Sequence, residues 1–137
     1  MSIRASSTFR PRSDIGRFIS AEITPAVRAG VQEVGDAIYE RSQALVPVDT
    51  GALKESGAVT IYEQGKVITA IVDYPIYYAG YAEFGTGIAG ASSAGAGPYP
   101  YSPTWPGMVS QPYLRPALDE VKPQATDMVA QHVRLVL

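Results

Sequence analysis

Three stretches of this chain carry residue types at spacings that chemistry uses. Gly85, Gly87 and Gly90, in the run Tyr81-Ala-Glu-Phe-Gly-Thr-Gly-Ile-Ala-Gly90, form a G-x-G-x-x-G pattern, the glycine arrangement of a dinucleotide-binding turn. Val48-Asp-Thr-Gly51 contains an Asp-Thr-Gly triplet, which in aspartic-type proteases brings two carboxylates together to share a proton. His132 is the only histidine and the one side chain whose ordinary pKa suits general-base work near neutral pH.

Each candidate must meet a structural demand. A dinucleotide turn needs a helix leaving the glycines, to face the pyrophosphate, and an acidic residue about 20 positions on for the ribose. Here the glycines lead into Ala91-Ser-Ser-Ala-Gly-Ala-Gly-Pro98, which is not a helix-forming run, and no Asp or Glu lies between Glu83 and Asp119. The nucleotide reading fails on both counts. A single Asp-Thr-Gly can act only in a homodimer, with the triplet leaving a buried strand. This one follows Val46-Pro-Val48 and runs into Ala52-Leu-Lys-Glu-Ser56, a helical sequence, so Asp49 or Thr50 reads as a helix cap with Gly51 easing the entry. His132 sits beside Met128, Val129, Val133 and Val136, the setting of a packing residue; no nucleophile is placed beside it by sequence. With one histidine and no cysteine, a metal site would have to be built from carboxylates, and none is clustered to do so. No cofactor is expected, and no constellation supports an enzyme.

The elements that must position these residues follow from periodicity. At 137 residues, 46% hydrophobic and 18% charged with a formal charge of -2, the chain has the composition of one ordinary globular domain. That near-neutral balance gives no electrostatic case for wrapping nucleic acid. No apolar run approaches a membrane span, and the polar, basic leading residues do not form a secretory signal. Arg4, Arg10, Arg12 and Arg17 make a basic leading region, and residues 1–13 are expected to form a flexible arm able to reach a partner. Residues 14–137 are expected to form a single domain.

Thr24-Pro25 reads as a helix start, with Val27, Val31, Val34, Ile38 and Leu45 forming one apolar face. Ala58–Tyr62 and Val67–Tyr74 read as a hairpin, with Glu63-Gln-Gly-Lys66 turning between them. A short helix is expected around Tyr77–Phe84, then an extended Gly/Ala/Pro/Tyr-rich loop over 85–111. A last helix is expected from near Pro116, with Leu118, Val121, Ala125, Met128, His132 and Val136 on one face and a break at Pro123. This order predicts an α+β fold, a long N-terminal helix and a C-terminal helix packed on a small antiparallel sheet.

Three segments in this order carry a resemblance: Val46-Pro-Val-Asp-Thr-Gly-Ala-Leu-Lys-Glu-Ser56, Tyr78-Ala-Gly-Tyr-Ala-Glu-Phe-Gly-Thr-Gly87 and Gln111-Pro-Tyr-Leu-Arg-Pro-Ala-Leu118. Together they resemble the small neck and tail-completion proteins of long-tailed bacteriophages, also found in prophages and gene-transfer particles. The residues carrying the match are Pro47, Asp49, Thr50, Gly51, Leu53, Ser56, Tyr78, Glu83, Phe84, Gly85, Thr86, Pro112, Leu114, Arg115, Pro116, Ala117 and Leu118, which the resemblance makes scaffold positions. Glu83 is expected to fix the departure of the loop, and Arg115 to pair with it. Tyr113 and Gly57 depart from the pattern, standing where the family more often has Phe and an apolar residue.

The resemblance implies a non-enzymatic virion protein assembled in the host cytoplasm. It implies a homo-oligomeric ring, six-fold as a rule, between a head-side connector or head-closure protein and a tail terminator or tail-tube protein. Double-stranded DNA would pass through the lumen without sequence-specific binding, and no membrane is involved. Residues 88–113 hold Tyr99, Tyr101, Trp105, Met108 and Tyr113 with no charged residue, the composition of an interface centre. These five, with Arg4, Arg10 and Arg12 of the arm, are the expected subunit or ring contacts. Two rival functions are a homodimeric aspartic-type protease using Asp49 and a single-strand nucleic-acid binder stacking bases on Tyr99, Tyr101 and Trp105. The second lacks the cationic groove such binders use, because no basic residue lies between Lys66 and Arg115.

Overall fold

The computed structural model describes residues 2–4, 13–49 and 51–137. Its elements are β1 (Ser2–Arg4), α1 (Ser13–Phe18), α2 (Thr24–Leu45), α3 (Ala52–Ser56), β2 (Ala58–Gln64), β3 (Val67–Asp73), α4 (Ala79–Phe84), α5 (Gly87–Ala91), α6 (Leu114–Val121) and α7 (Ala125–Arg134). The fold is α+β, with a long N-terminal helix, a C-terminal helix and a small antiparallel sheet. The chain divides into two compact units. One comprises residues 1–37, 59–72 and 121–137, and the other residues 38–58 and 73–120.

The first unit is built on the apolar stripe of α2. Val27, Val31 and Val34 are buried at three- and four-residue spacing, as the sequence pattern predicts. Gly30 lets α7 come close: a Cβ there would lie 2.7 Å from the Val129 Cα. The sheet order is β1-β3-β2, with Ser2, Ile3 and Arg4 pairing antiparallel to Thr69, Ile68 and Val67. A two-residue turn at Gly65-Lys66 joins β2 and β3, short enough to fix their register. Ile68 and Ala70 of β3 point inward, and Ala125 and Val129 of α7 complete this unit's core. The buried face of α7 therefore runs through Ala125 and Val129, while Met128, His132 and Val136 are half-buried at its margins.

The long helix does not begin at Thr24. It runs on from Ser13 through a π-helical turn, Ile19–Ile23, in which the Thr24 N–H donates to the Ile19 carbonyl five residues back. Proline explains the position of this turn. Pro25 has no N–H to offer the turn before it, and its ring crowds the carbonyl four residues back. Widening that turn relieves the clash without ending the helix.

Break and restart at Pro123 occur as the sequence predicts. A short 3₁₀ turn, Lys122–Gln124, separates α6 from α7. Thr50, Arg10 and Arg12 lie outside the described residues, as does the Arg4 side chain.

Candidate functional site

All three segments singled out in the sequence fall in the second unit, and the second and third meet at Glu83. This carboxylate is 5% exposed. Its Oε2 accepts the Tyr113 N–H at 2.8 Å and the Leu114 N–H at 3.0 Å, and its Oε1 accepts the Arg115 N–H at 3.0 Å. The Arg115 Nε–H adds a fourth contact to Oε1 at 3.2 Å. These three amides are donors that the start of α6 leaves without intrahelical partners. The next residue is Pro116, which has no N–H to satisfy. One side chain from α4 and one proline thus account for the whole helix entry, with the negative charge at the positive end of the helix dipole. The helix accordingly begins at Leu114, two residues ahead of the proline.

Around this joint the aromatic residues are layered. Tyr113 is 2% exposed, its hydroxyl donates to the Ala79 carbonyl at 3.0 Å, and its ring meets Tyr74 edge-on at 4.9 Å. The Tyr74 hydroxyl lies 2.6 Å from Ser42 Oγ and accepts from Gln43 Nε2 at 2.8 Å. Gly57 is a departure from the family pattern with a local reason: a Cβ there would sit 2.7 Å from the Tyr74 ring. The expectation that Tyr113 belongs to a contact surface is corrected, since the residue is an interior strut.

Burial, and then the nearby Glu83 charge, raises the Tyr113 phenol well above its ordinary value of 10.0. A raised folded-state pKa contributes stability that is full below the unfolded value and is lost as pH climbs past about 10. The melting temperature is therefore expected to fall as pH rises above about 10, and Tyr113→Phe to flatten that fall. An equal slope in the variant would show that Tyr113 is not responsible.

The loop over 85–111 is stitched to α4 and α5 rather than left open. Thr86 and Met108 exchange two backbone hydrogen bonds, at 2.8 and 3.0 Å. The Ile88 N–H donates to the Trp105 carbonyl, the Ala89 N–H to the Pro106 carbonyl, and the Gln111 N–H to the Ala82 carbonyl. Tyr101 accepts the Gly97 N–H and donates to the Phe84 carbonyl. Tyr99 packs edge-on against Phe84 at 5.1 Å, and the Arg115 guanidinium lies over the same ring, 4.6 Å from its centre. The sequence reading expects an extended loop from Gly85, yet Gly87–Ala91 forms a helix of five residues within the glycines, and the run after it to Pro98 is not helical. That helix is too short for a dinucleotide helix, and its first amides at Ile88 and Ala89 are spent on the returning loop.

Trp105 is 55% exposed, and Ile88, Met108 and Val109 are exposed with it. The backbone bonds just described tie Ile88 to Trp105 and Thr86 to Met108, which Val109 follows, on an uncharged segment. Beside them, Pro47, Val48, Asp49, Gly51, Leu53, Tyr78, Ala82, Met108 and Gln111 line an open, largely apolar cavity of about 580 Å³, so all three sequence segments contribute to its wall. Asp49 is exposed on this rim, between α2 and α3 rather than at the end of a buried strand. The cap position of α3 falls on Gly51, at φ 86°, with no side-chain cap hydrogen bond. Pro47 and Leu53 are thereby wall residues, and Ser56 bonds the Leu53 carbonyl.

In the first unit, His132 Nε2 meets a Glu33 carboxylate oxygen, and Arg28 pairs with Glu63 at 2.7 Å. Both pairs are largely exposed and contribute little to stability. Among the described residues there is no cluster of metal-ligating side chains, and no helix long and apolar enough to cross a membrane.

This architecture is that of a scaffold, in which the polar residues of the three segments close helix ends and loop joints. The family profile described as "Bacteriophage HK97-gp10, putative tail-component" matches residues 13–85, 73 of the 137 residues. The chain belongs to this family and is a structural component of the phage tail. Its partners are therefore among the tail and head proteins of the virion. Neither the curated proteins nor the solved structures include a match to it. The family match ends at Gly85, so the stitched loop and the Glu83-capped helix lie beyond it.

Proposed function

We propose that the protein is a connector of the phage neck, forming a closed ring that joins the head-side connector to the tail tube. The observation that carries this reading is the exposed, uncharged set of Ile88, Trp105, Met108 and Val109, held by backbone hydrogen bonds on one joint. An apolar surface held in place loses little ordering entropy on association, and Trp is among the residue types that dominate interface energetics. The ring is six-fold, as the family resemblance implies, with DNA passing through its lumen. It stacks between a head-closure protein and a tail terminator or tail-tube protein, and the basic arm with Arg10 and Arg12 reaches a neighbour, while Arg4 pairs with Val67 in the sheet. Neither rival reading gains from the geometry: Asp49 lies open on a cavity rim, and Tyr99 packs edge-on against both Phe84 and Tyr101, leaving only Trp105 of the three stacking candidates exposed and with no cation beside it in sequence.

Mass in solution and in purified particles tests the reading. Trp105→Glu is expected to leave the melting temperature nearly unchanged, as surface substitutions do, while weakening self-association at least tenfold. A protein that is a strict monomer under every condition, and absent from virions, would overturn the connector function.

A further inference from the structure

Two surfaces of this chain are complementary to one another. The first is the cavity walled by Pro47, Val48, Leu53, Tyr78 and Met108. Among the described residues that line it, Asp49 is the one charged side chain and none is a cation. The second is the end of α7, in the other compact unit. Leu135 and Leu137 are 84% and 78% exposed, and Arg134 beside them is exposed too. The Leu135 N–H donates to the Gln131 carbonyl and the Val136 N–H to the Val133 carbonyl, so helical hydrogen bonding continues past Arg134. Val133 and Val136 are half-buried while the two leucines stand in water. A helical turn that offers Leu135 beside Arg134, with Leu137 following the last helical bond, is the counterpart of an apolar recess with a carboxylate on its rim.

We propose that the Arg134–Leu137 turn of one copy docks into the Pro47–Leu53 cavity of the next, with the leucines entering the apolar wall and Arg134 meeting Asp49. This rests on the ring reading and names the two faces of its subunit contact. In the closed ring this contact is heterologous. It passes from copy to copy around a closed assembly instead of pairing two copies about a two-fold axis. The helical turn is already ordered, which lowers the entropic cost of seating it.

The chain has no cysteine, so introduced thiols report contacts cleanly. Val48→Cys and Leu135→Cys are prepared as separate proteins, mixed in equal amounts, and treated with a short bismaleimide, while the mass of untreated mixture is measured in parallel. The mixture should yield cross-linked dimer at least tenfold above either protein alone and above Val48→Cys mixed with Lys66→Cys. The double variant should yield a ladder ending at the ring mass. Asp49→Arg should weaken assembly about tenfold, and combining it with Arg134→Asp should restore most of the loss. Rings of normal mass without the enhanced cross-link would overturn the docking and leave the ring reading intact. Cross-linking of Val48→Cys to another tail protein, in place of Leu135→Cys, would likewise overturn it. A monomer at every concentration would overturn the ring reading itself.

Discussion

Replacing Glu83 with alanine is expected to destabilise the protein by about 3–5 kcal/mol, a large share of the stability of a domain this size. The effect comes from what the carboxylate leaves behind. The amides of Tyr113, Leu114 and Arg115 all donate to it, and each buried donor stranded without an acceptor costs about 1–3 kcal/mol. Water entering the space left by the side chain offsets part of this at the two half-buried amides. Arg115→Ala is the informative contrast. Its side chain is 45% exposed and also lies over Phe84 and bonds the Gly95 carbonyl, so losing all three contacts should cost about 1–2 kcal/mol. Glu83→Gln should fall between the two, because one carbonyl oxygen remains but an NH₂ group now faces backbone donors. Urea midpoints rank the three variants, and amide exchange at residues 113–115 locates the loss. Equal midpoints for Glu83→Ala and Arg115→Ala would mean that the ion pair, not the helix entry, is what Glu83 contributes.

Much of this joint is legible in the sequence, in kind if not in geometry. The Glu83–Arg115 pairing follows from Arg115 being the first cation after a long uncharged run. The helix start at Leu114 does not, because it depends on an acceptor 31 positions upstream, and local cap rules see only neighbouring residues. For the same reason Asp49 is a reasonable cap in sequence, whereas α3 is entered through Gly51 in a left-handed conformation. The stripe of Val27, Val31 and Val34 is readable because periodicity is local. The continuation of that helix back to Ser13 is not, since Thr24-Pro25 is a sound start signal unless a π-helical turn absorbs the proline. Composition alone places Tyr113 at a surface: the uncharged run contains both exposed and buried aromatics, and only tertiary contacts sort them. The cavity wall draws on residues from 47 to 111, beyond the reach of any single motif.

The glycines first readable as a nucleotide turn have a different requirement, and it is severe at Gly85. Its φ of 77° and ψ of 176° lie in a region that glycine alone occupies readily. A Cβ there would also sit 2.6 Å from the Ser110 nitrogen and 2.7 Å from the Met108 oxygen. Both neighbours are backbone atoms of the returning loop, so they can retreat only by loosening the Thr86–Met108 pair. Gly85→Ala is therefore expected to cost about 3–5 kcal/mol, combining backbone strain of about 1–3 kcal/mol with the steric displacement. Gly65 separates the two contributions. It has a φ of 60°, and a Cβ at that position would meet nothing within 4 Å, so Gly65→Ala should cost only about 1–2 kcal/mol. Trp105, the sole tryptophan, reports the loop directly. Its fluorescence anisotropy should drop in Gly85→Ala, where the stitch is loosened, and stay unchanged in Gly65→Ala. The same loosening would scatter Ile88, Trp105 and Met108, so Gly85→Ala should also weaken self-association more than its loss of stability alone explains. Similar midpoints and anisotropies for the two variants would show that the loop does not approach Gly85 this closely.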